Sequence, residues 1–370
     1  MRIDGVRKIF MLGDLHLGVR NNSMEWAKIQ TEYLINHFFK QVDEAGFDPE
    51  TDILMQFGDW NHVRESTNIR IWQASLDIAK RLSDKFKKGI YIILGNHDVY
   101  YKDRTDTHSL KGLDLMFPNI KIFETPEVVT INGSTKILML PWIESESSIT
   151  QVIKDNSGVD YVFCHADIKG FDLNSFTKLH HGLDPKDLIN FKKIYSGHIH
   201  IRQEKKNMLY LGTPYEMDRG DRGNLKGFYT LDISTTKHKE EFYPNYFSPN
   251  YLKWDITELL SKNTTELADL FKNNFIDISI DSEFSKRFPL TQFIELIKDL
   301  GYRSVEFFPY NKNQVTKASE IETSTSYEYN IFDVLNQHLE KKDITKTKFD
   351  DIVEKFKVIY DQLKNNKNYD

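Results

Sequence analysis

Six of the twelve histidines in this 370-residue chain fall in five short segments, with carboxylates and an asparagine among them. Gly13-Asp14-Leu15-His16 is the first, Gly58-Asp59-Trp60-Asn61-His62 the second and Gly95-Asn96-His97-Asp98 the third. Cys164-His165 and Gly197-His198-Ile199-His200 complete the set. Carboxylate, imidazole and amide oxygen, without thiolate, suit Mn²⁺, Fe²⁺ or Zn²⁺ better than a sulfur-seeking ion. The donors are too many for one tetrahedral site. They match two ions roughly 3.5–4 Å apart under a shared carboxylate, which can hold a phosphate oxygen, activate water near neutral pH and stabilise a departing oxygen. The residue types therefore point to hydrolysis of a phosphate ester. A lone Asp-x-His or His-x-His is usually structural; five donor segments in order, each after a strand-like run, point to a metal site.

To converge, the five segments need a common frame. Residues 8–12, 52–57, 90–94, 161–164 and 194–196 are brief apolar runs stopped by glycine or a polar cluster, the pattern of buried strands. Residues 24–45 and 68–86 read as helices between the first three, with Thr67 as N-cap of the second. This βαβαβ order predicts an α/β fold with a largely parallel sheet covered by helices, its ligands gathered beyond the carboxyl ends of the strands. Runs at 121–123, 127–131, 135–140, 208–211 and 227–233 predict a second sheet packed on the first. From about residue 243 the pattern changes to a stretch rich in aromatics, Pro and Asn. A strand at 275–281, a helix at 290–300 and a strand at 302–308 then suffice for a small α+β domain. Residues 311–326 are polar and without hydrophobic period, so they read as a linker. Two amphipathic helices end the chain, one striped by Ile331, Phe332, Val334, Leu335 and Leu339, the other by Phe349, Ile352, Val353, Phe356, Ile359 and Leu363.

The formal net charge of −6 argues against a protein that holds nucleic acid by bulk charge, but not against an enzyme whose cations neutralise its own carboxylates. No run of eighteen apolar residues predicts a membrane span, and residues 1–10 lack the apolar stretch of a signal peptide. The single cysteine, Cys164, excludes an intrachain disulfide framework. A reducing, cytoplasmic setting is therefore expected. No G-x-x-x-x-G-K-[ST] phosphate loop is present, so any use of ATP would need a partner.

In this order, Asp-x-His, Gly-Asp, Gly-Asn-His-Asp, His and Gly-His-x-His resemble the calcineurin-like metallophosphoesterase superfamily. Within it the chain is similar to the SbcD/MRN-type DNA repair nuclease subunits, with a layout closest to the recombination endonuclease subunits of T-even-type phages. The narrower likeness rests on Gly13-Asp14-Leu15-His16-Leu17-Gly18 and on His62 with Arg64 after Gly58-Asp59. It also rests on Gly95-Asn96-His97-Asp98-Val99-Tyr100-Tyr101-Lys102 and Ser196-Gly197-His198-Ile199-His200. Leu211-Gly212-Thr213-Pro214-Tyr215 and Lys226-Gly227-Phe228 follow, so the motifs span about residues 8–232 and the later segments match in layout only.

The resemblance implies a four-layer α-β-β-α sandwich over residues 1–242, a small α+β DNA-capping domain over 243–310, a linker over 311–326 and an ATPase-binding helical segment over 327–370. It implies that Asp14, His16 and His200 hold a first ion, that Asn96, His165 and His198 hold a second, and that Asp59 bridges both. His97 would be a non-ligand that stabilises the transition state and protonates the leaving oxygen. Asp98 would orient the His97 ring, and His62 would assist with duplex substrates. The implied activity is cleavage of DNA with two Mn²⁺ ions, Mg²⁺ or another divalent ion being the alternative. It would run 3′ to 5′ on duplex ends and endonucleolytically on single strands, in a double-strand-break repair or recombination complex. The implied partners are DNA, an SMC-like coiled-coil ATPase bound by the C-terminal helices, and a second copy of the chain.

Two positions depart from the family pattern: Asn61 stands where an aromatic residue is usual, and Cys164 where glycine is frequent. Neither removes a ligand. Two other functions stay open at this level. A phosphatase or small-molecule phosphodiesterase of the same superfamily would share the ligands, but the protein phosphatases carry Asp-Arg-Gly where Asn61-His62-Val63-Arg64 stands here. A non-catalytic scaffold for the ATPase would be expected to have lost ligands, and none is lost. Tyr100, Tyr101, Lys102 and Arg104 are either a nucleic-acid contact or an exposed loop, and Arg64, Arg70, Arg219 and Arg222 are candidate phosphate contacts by type.

Overall fold

Alternation of side chains along each central strand decides the architecture. The structure, a computed structural model, describes residues 1–173, 177–286 and 290–310; the predicted linker over 311–326 and helices over 327–370 lie outside the described residues. The strands are β1 (Arg2–Ile3), β2 (Lys8–Leu12), β3 (Ile53–Gln56), β4 (Ile90–Ile93), β5 (Ile120–Phe123), β6 (Glu127–Ile131), β7 (Thr135–Leu140) and β8 (Tyr161–His165). They continue as β9 (Lys193–Gly197), β10 (Gln203–Lys205), β11 (Met208–Tyr210), β12 (Gly227–Asp232), β13 (Lys239–Pro244), β14 (Tyr251–Asp255), β15 (Phe275–Asp281) and β16 (Ser304–Tyr310). One sheet has the order β13-β12-β2-β3-β4-β5 and the second β1-β6-β7-β8-β9-β11-β10.

On β2 and β3, Ile9, Met11, Ile53 and Met55 point into a core shared with Ile137, Met139, Phe163, Tyr195 and Leu209 of the second sheet. Their neighbours Phe10, Leu12 and Leu54 point the other way, against Trp26, Leu34, Ile78 and Leu82 of covering helices. On the far side Leu138, Leu140, Val162 and Ile194 pack on Ile149, Ile153 and Leu188. Three parallel hydrophobic layers separate helices, sheet, sheet and helices, the four-layer sandwich that the family resemblance implied. No helix among the described residues is long and apolar enough to cross a membrane.

Several details differ from the sequence reading. Ile120–Phe123 and Gly227–Asp232 join the first sheet, not the second, while β8 and β9, read with the central strands, belong to the second: β5 pairs parallel with β4, and β12 returns antiparallel beside β2 with Tyr229 opposite Met11. The N-cap of helix Ile69–Lys85 is Asn68, whose side chain accepts from Arg70 N at 2.9 Å, not Thr67. The predicted helix at 24–45 is continuous but changes winding, from α (Met24–Glu32) to π (Tyr33–Phe38) and back to α (Phe39–Glu44). Its buried positions Trp26, Gln30, Leu34, Phe38 and Val42 recur every four residues. A regular α-helix would rotate such a row by about 40° per step, and the wider π turns wind it back toward the core.

After β13, strands β14, β15 and β16 form a separate three-stranded sheet covered by helices Ile256–Leu260, Thr264–Phe271 and Leu290–Ile297. Trp26 stacks on Phe275 at 5.6 Å, within the same compact unit. Arg219 and Arg222 both grip the buried carboxylate of Asp277, Arg219 through contacts of 2.8 and 3.0 Å. Those guanidiniums were candidate phosphate contacts by residue type; the structure assigns them to Asp277 instead. Asp277→Ala leaves two arginines facing an apolar gap. It is expected to destabilise the protein by about 2 kcal/mol, discounted from the figure for a fully buried pair because both arginines are partly solvated. Urea unfolding followed by tryptophan fluorescence measures this, and an unchanged midpoint would refute the clamp.

Candidate metal centre

Every donor segment sits at the carboxyl end of a parallel strand. Asp14 and His16 follow β2, Asp59 follows β3, Asn96 to Asp98 follow β4, His165 ends β8, and His198 and His200 follow β9. The loops are stitched to one another. Leu15 N and His16 N both donate to the Asp59 carbonyl, at 3.0 and 2.8 Å, and His62 N donates to Leu17 O at 2.9 Å. His97 N donates to Asp59 Oδ1 at 2.8 Å and His198 N to Asp14 Oδ2 at 2.9 Å. His16, Asp59 and His198 adopt left-handed φ of 48°, 51° and 83°, strain that only a well-determined surround maintains. Gly95 is required by closeness: a Cβ there would lie 2.2 Å from Asp59 Oδ1.

Three donor groups result. Asp14, His16 and His200 form one, Asp59, His165 and His198 another, and His16, His62 and His97 a third without a carboxylate, each with its ligand atoms within 4.8 Å of one another. Asp59 Oδ2 lies 3.5 Å from His16 Nε2 and 3.4 Å from His165 Nε2, between the groups. His16 Nε2 and His200 Nε2 approach to 2.9 Å. Asn96 Oδ1 lies 2.9 Å from both His165 Nε2 and His198 Nδ1. Nitrogens and oxygens that carry lone pairs converge here without enough protons to satisfy them.

The electrostatics make the same point. Burial raises the Asp14 carboxyl well above its usual range, and its Oδ1 has no hydrogen-bond partner among the described residues. Burial also opposes charge on Asp59, but His165 outweighs it and holds Asp59 well below the usual range. His16 is pushed well down by burial and stays neutral. Burial works against a charged His165 too, yet Asp59 prevails and lifts it to about 9. An orphaned carboxylate oxygen, a shared carboxylate, the neutral His16 ring and a His165 ring charged only by its carboxylate neighbours fit divalent cations, whose charge would relieve this arrangement. His165 Nδ1 donates to the Phe57 carbonyl at 2.7 Å, which leaves Nε2 as the free donor atom toward Asp59.

Residues 7–207, more than half of the chain, match the family described as calcineurin-like phosphoesterase. The chain belongs to that family. It is also 33% identical to exonuclease subunit 1 of Enterobacteria phage T4 over 245 residues, covering 64% of this chain and 68% of that protein.

Around the donors of this calcineurin-like phosphoesterase stand the other residues singled out in the sequence. The half-buried His97 ring has its centroid 4.8 Å from that of His16, and its Nδ1 donates to the His62 carbonyl at 2.7 Å. Asp98 is therefore not the partner of the His97 ring, contrary to the expectation. The buried Asp98 carboxylate accepts instead from Asn61 N at 3.2 Å and Gly95 N at 2.9 Å, so it braces the second and third loops against each other. Burial, with the charge of Asp59, pushes Asp98 up to about 7. His62 joins the cluster: its Nδ1 lies 3.2 Å from His16 Nδ1 and its ring stacks on His97 at 5.2 Å. Burial lowers His62, and His97 adds to the effect. Cys164 faces away from the donors, packed under the second sheet with Sγ toward Tyr195 O, and burial pushes its thiol up to about 12. Asn61 is buried and its amide nitrogen donates to Ser109 Oγ at 3.0 Å. Tyr100 and Tyr101 are exposed, with Arg104 over the Tyr101 ring at 3.9 Å.

Three neighbours escaped the sequence reading as site residues. Asp167 Oδ1 sits 3.0 Å from His198 Nε2 and orients that ring; its only signal was a carboxylate two residues past His165. Trp142 lies against His198 at 4.9 Å, and nothing in its local sequence announced this. Lys226, noted only as part of a motif, is buried and donates to both the His200 carbonyl and Asp221 Oδ1 at 2.6 Å.

Proposed function

We propose that this phosphoesterase is a metal-dependent DNA nuclease, the cleaving subunit of a double-strand-break processing complex. The observation that carries the reading is Asp59, one oxygen of which lies 3.4 Å from His165 Nε2 in its own donor group and 3.5 Å from His16 Nε2 in the other. In this reading Asp14, His16 and His200 would hold one ion, Asn96, His165 and His198 the other, and Asp59 would be shared between them. Two such ions supply Lewis acidity toward a phosphodiester and toward the attacking water. The chain's own part is to hold and orient. Asp167 and the Phe57 carbonyl fix the rings of His198 and His165. The His62 carbonyl holds one proton on His97 Nδ1, so in the imidazolium form it is the second proton, on Nε2, that would pass to the departing 3′ or 5′ oxygen and leave the neutral ring behind. Stacking of His62 on His97 keeps that ring in place.

The likeness to a phage exonuclease subunit supports DNA as the substrate and a partner subunit as the setting. The finer assignments are Mn²⁺ as the ion, 3′-to-5′ exonuclease action on duplex ends and endonuclease action on single strands. A homodimer and an SMC-like ATPase partner complete the reading. Labelled duplex and single-stranded DNA incubated with Mn²⁺, Mg²⁺ or EDTA tests it directly. Cleavage with a divalent ion and none with EDTA is expected; hydrolysis of phosphoprotein with DNA left intact would point to a phosphatase instead. Deleting residues 327–370 is expected to abolish capture of the ATPase while Mn²⁺-dependent cleavage persists, and co-purification of the truncated chain with that ATPase would overturn this placement.

A further inference from the structure

Just past the first donor loop the backbone is left-handed for three residues running, with φ of 57° at Arg20, 56° at Asn21 and 59° at Asn22. Asn22 N donates to Gly18 O at 2.9 Å and closes the turn. Asparagine tolerates this region because its short amide can bond locally; arginine has no such bond, so the strain rests on Arg20. Strain of this kind survives where the surround fixes it, and it gathers at binding sites. Here the side chain is what is fixed. Arg20 Nε and Nη2 donate to the Met217 carbonyl at 3.3 and 3.2 Å, and Nη2 also reaches Tyr251 Oη at 3.3 Å. The guanidinium lies 5.9 Å from the Tyr251 ring, which is itself stacked on Phe275 at 4.7 Å.

The charge of Arg20 is not neutralised. Arg7, Arg219, Arg222 and Arg303 each meet a carboxylate, whereas Arg20 meets none among the described residues. Its Nη1 makes no hydrogen bond among them, and the residue is exposed. The turn is anchored to the donor loops: Val19 N donates to His16 O at 3.1 Å, and Leu17, three residues before Arg20, pairs with Asn61. Arg20 is also one of the charges that act on His62. An acidic chain thus holds an unpaired, immobilised guanidinium at the edge of a cation-binding cluster, with part of its donor fork turned outward.

We propose that Arg20 binds a backbone phosphate of the substrate strand, next to the phosphodiester being cleaved. The proposal rests on the nuclease reading above and adds a subsite to it. A preset guanidinium suits a phosphate because its planar fork matches two oxygens at once, and such contacts set the register of a strand without reading its bases.

The test compares kcat/KM on a labelled oligonucleotide with kcat/KM on bis(p-nitrophenyl) phosphate, a phosphodiester with no neighbouring phosphate. Arg20→Gln removes the charge. Arg20→Gly does so while relieving the left-handed φ, so it guards against a folding defect. In both variants the oligonucleotide-to-aryl-ester ratio is expected to fall about tenfold, the usual scale for one charge-assisted contact. The slope of log KM for the oligonucleotide against log salt should shrink by about 0.7–0.9, one phosphate contact's worth. Arg20→Lys should keep the slope and recover part of the ratio. An unchanged ratio overturns the assignment. So does an equal loss on both substrates, which would mean that Arg20 acts through the donor loop. Wild-type protein that hydrolyses the aryl ester but leaves DNA intact would end the nuclease reading itself, and this subsite with it.

Discussion

Asp59→Asn is expected to empty the site of both ions and to lower DNA cleavage by about 10³-fold or more, which corresponds to ~4 kcal/mol of transition-state stabilisation. The substitution keeps the shape of the side chain, and its amide oxygen can still accept from His97 N, as Asp59 Oδ1 does at 2.8 Å. What it removes is the one negative charge placed between His16 and His165. Without that charge, burial still opposes a charged His165 while the strongest influence that favours it is gone, so the variant loses a carboxylate and weakens its buried partner at once. Each cation site filled at about 100 times its Kd stabilises a folded protein by ~2.7 kcal/mol, a gain of roughly 3–4 °C in melting temperature per site at this size. Wild-type protein should show that gain on addition of Mn²⁺ and lose it with EDTA; the variant should show neither. Metal analysis that finds two ions per chain in Asp59→Asn, with a normal melting gain, would remove the shared carboxylate from its central place.

The parts legible in sequence were those written in local pattern. Each central strand is a short apolar run ended by a glycine or a polar cluster, so β2, β3, β4, β8 and β9 stood out, and the donors stood out because they follow those runs. What local pattern does not carry is partnership. β12 lies beside β2 although more than two hundred residues separate Met11 from its register partner Tyr229, and no periodicity encodes that return. Asp98 was matched to His97 because they adjoin in sequence. In the fold the carboxylate turns to backbone amides of two loops, and a backbone carbonyl takes over the ring. Carbonyls and amides are common to every residue, so sequence gives no sign of which one will be used. Arg219 and Arg20 show the same limit from opposite sides: residue type suggested phosphate for the first, whose charge Asp277 absorbs, and drew no notice to the second, which is left free by a turn that arginine disfavours.

His97→Asn separates holding metal from moving a proton. His97 belongs to neither of the two donor groups that contain a carboxylate, and its backbone amide, the group that donates to Asp59, survives the change. An asparagine amide can also replace Nδ1–H as donor to the His62 carbonyl, so the loop should keep its form. Metal content near that of wild type is therefore expected. The side chain that results has no proton to give to a departing alkoxide, and cleavage of DNA should fall by about 10²–10⁴-fold, the range for loss of a positioned general acid. An aryl ester offers a sharper reading. Bis(p-nitrophenyl) phosphate releases a stabilised anion that needs little protonation, so the same variant should lose much less activity on it than on DNA. Equal losses on both substrates would leave His97 with a charge-stabilising role and no proton transfer. Cleavage of DNA at the wild-type rate would show that the acid lies elsewhere, and His62, whose ring stacks on His97 and whose Nδ1 reaches toward His16, would be the next residue to test.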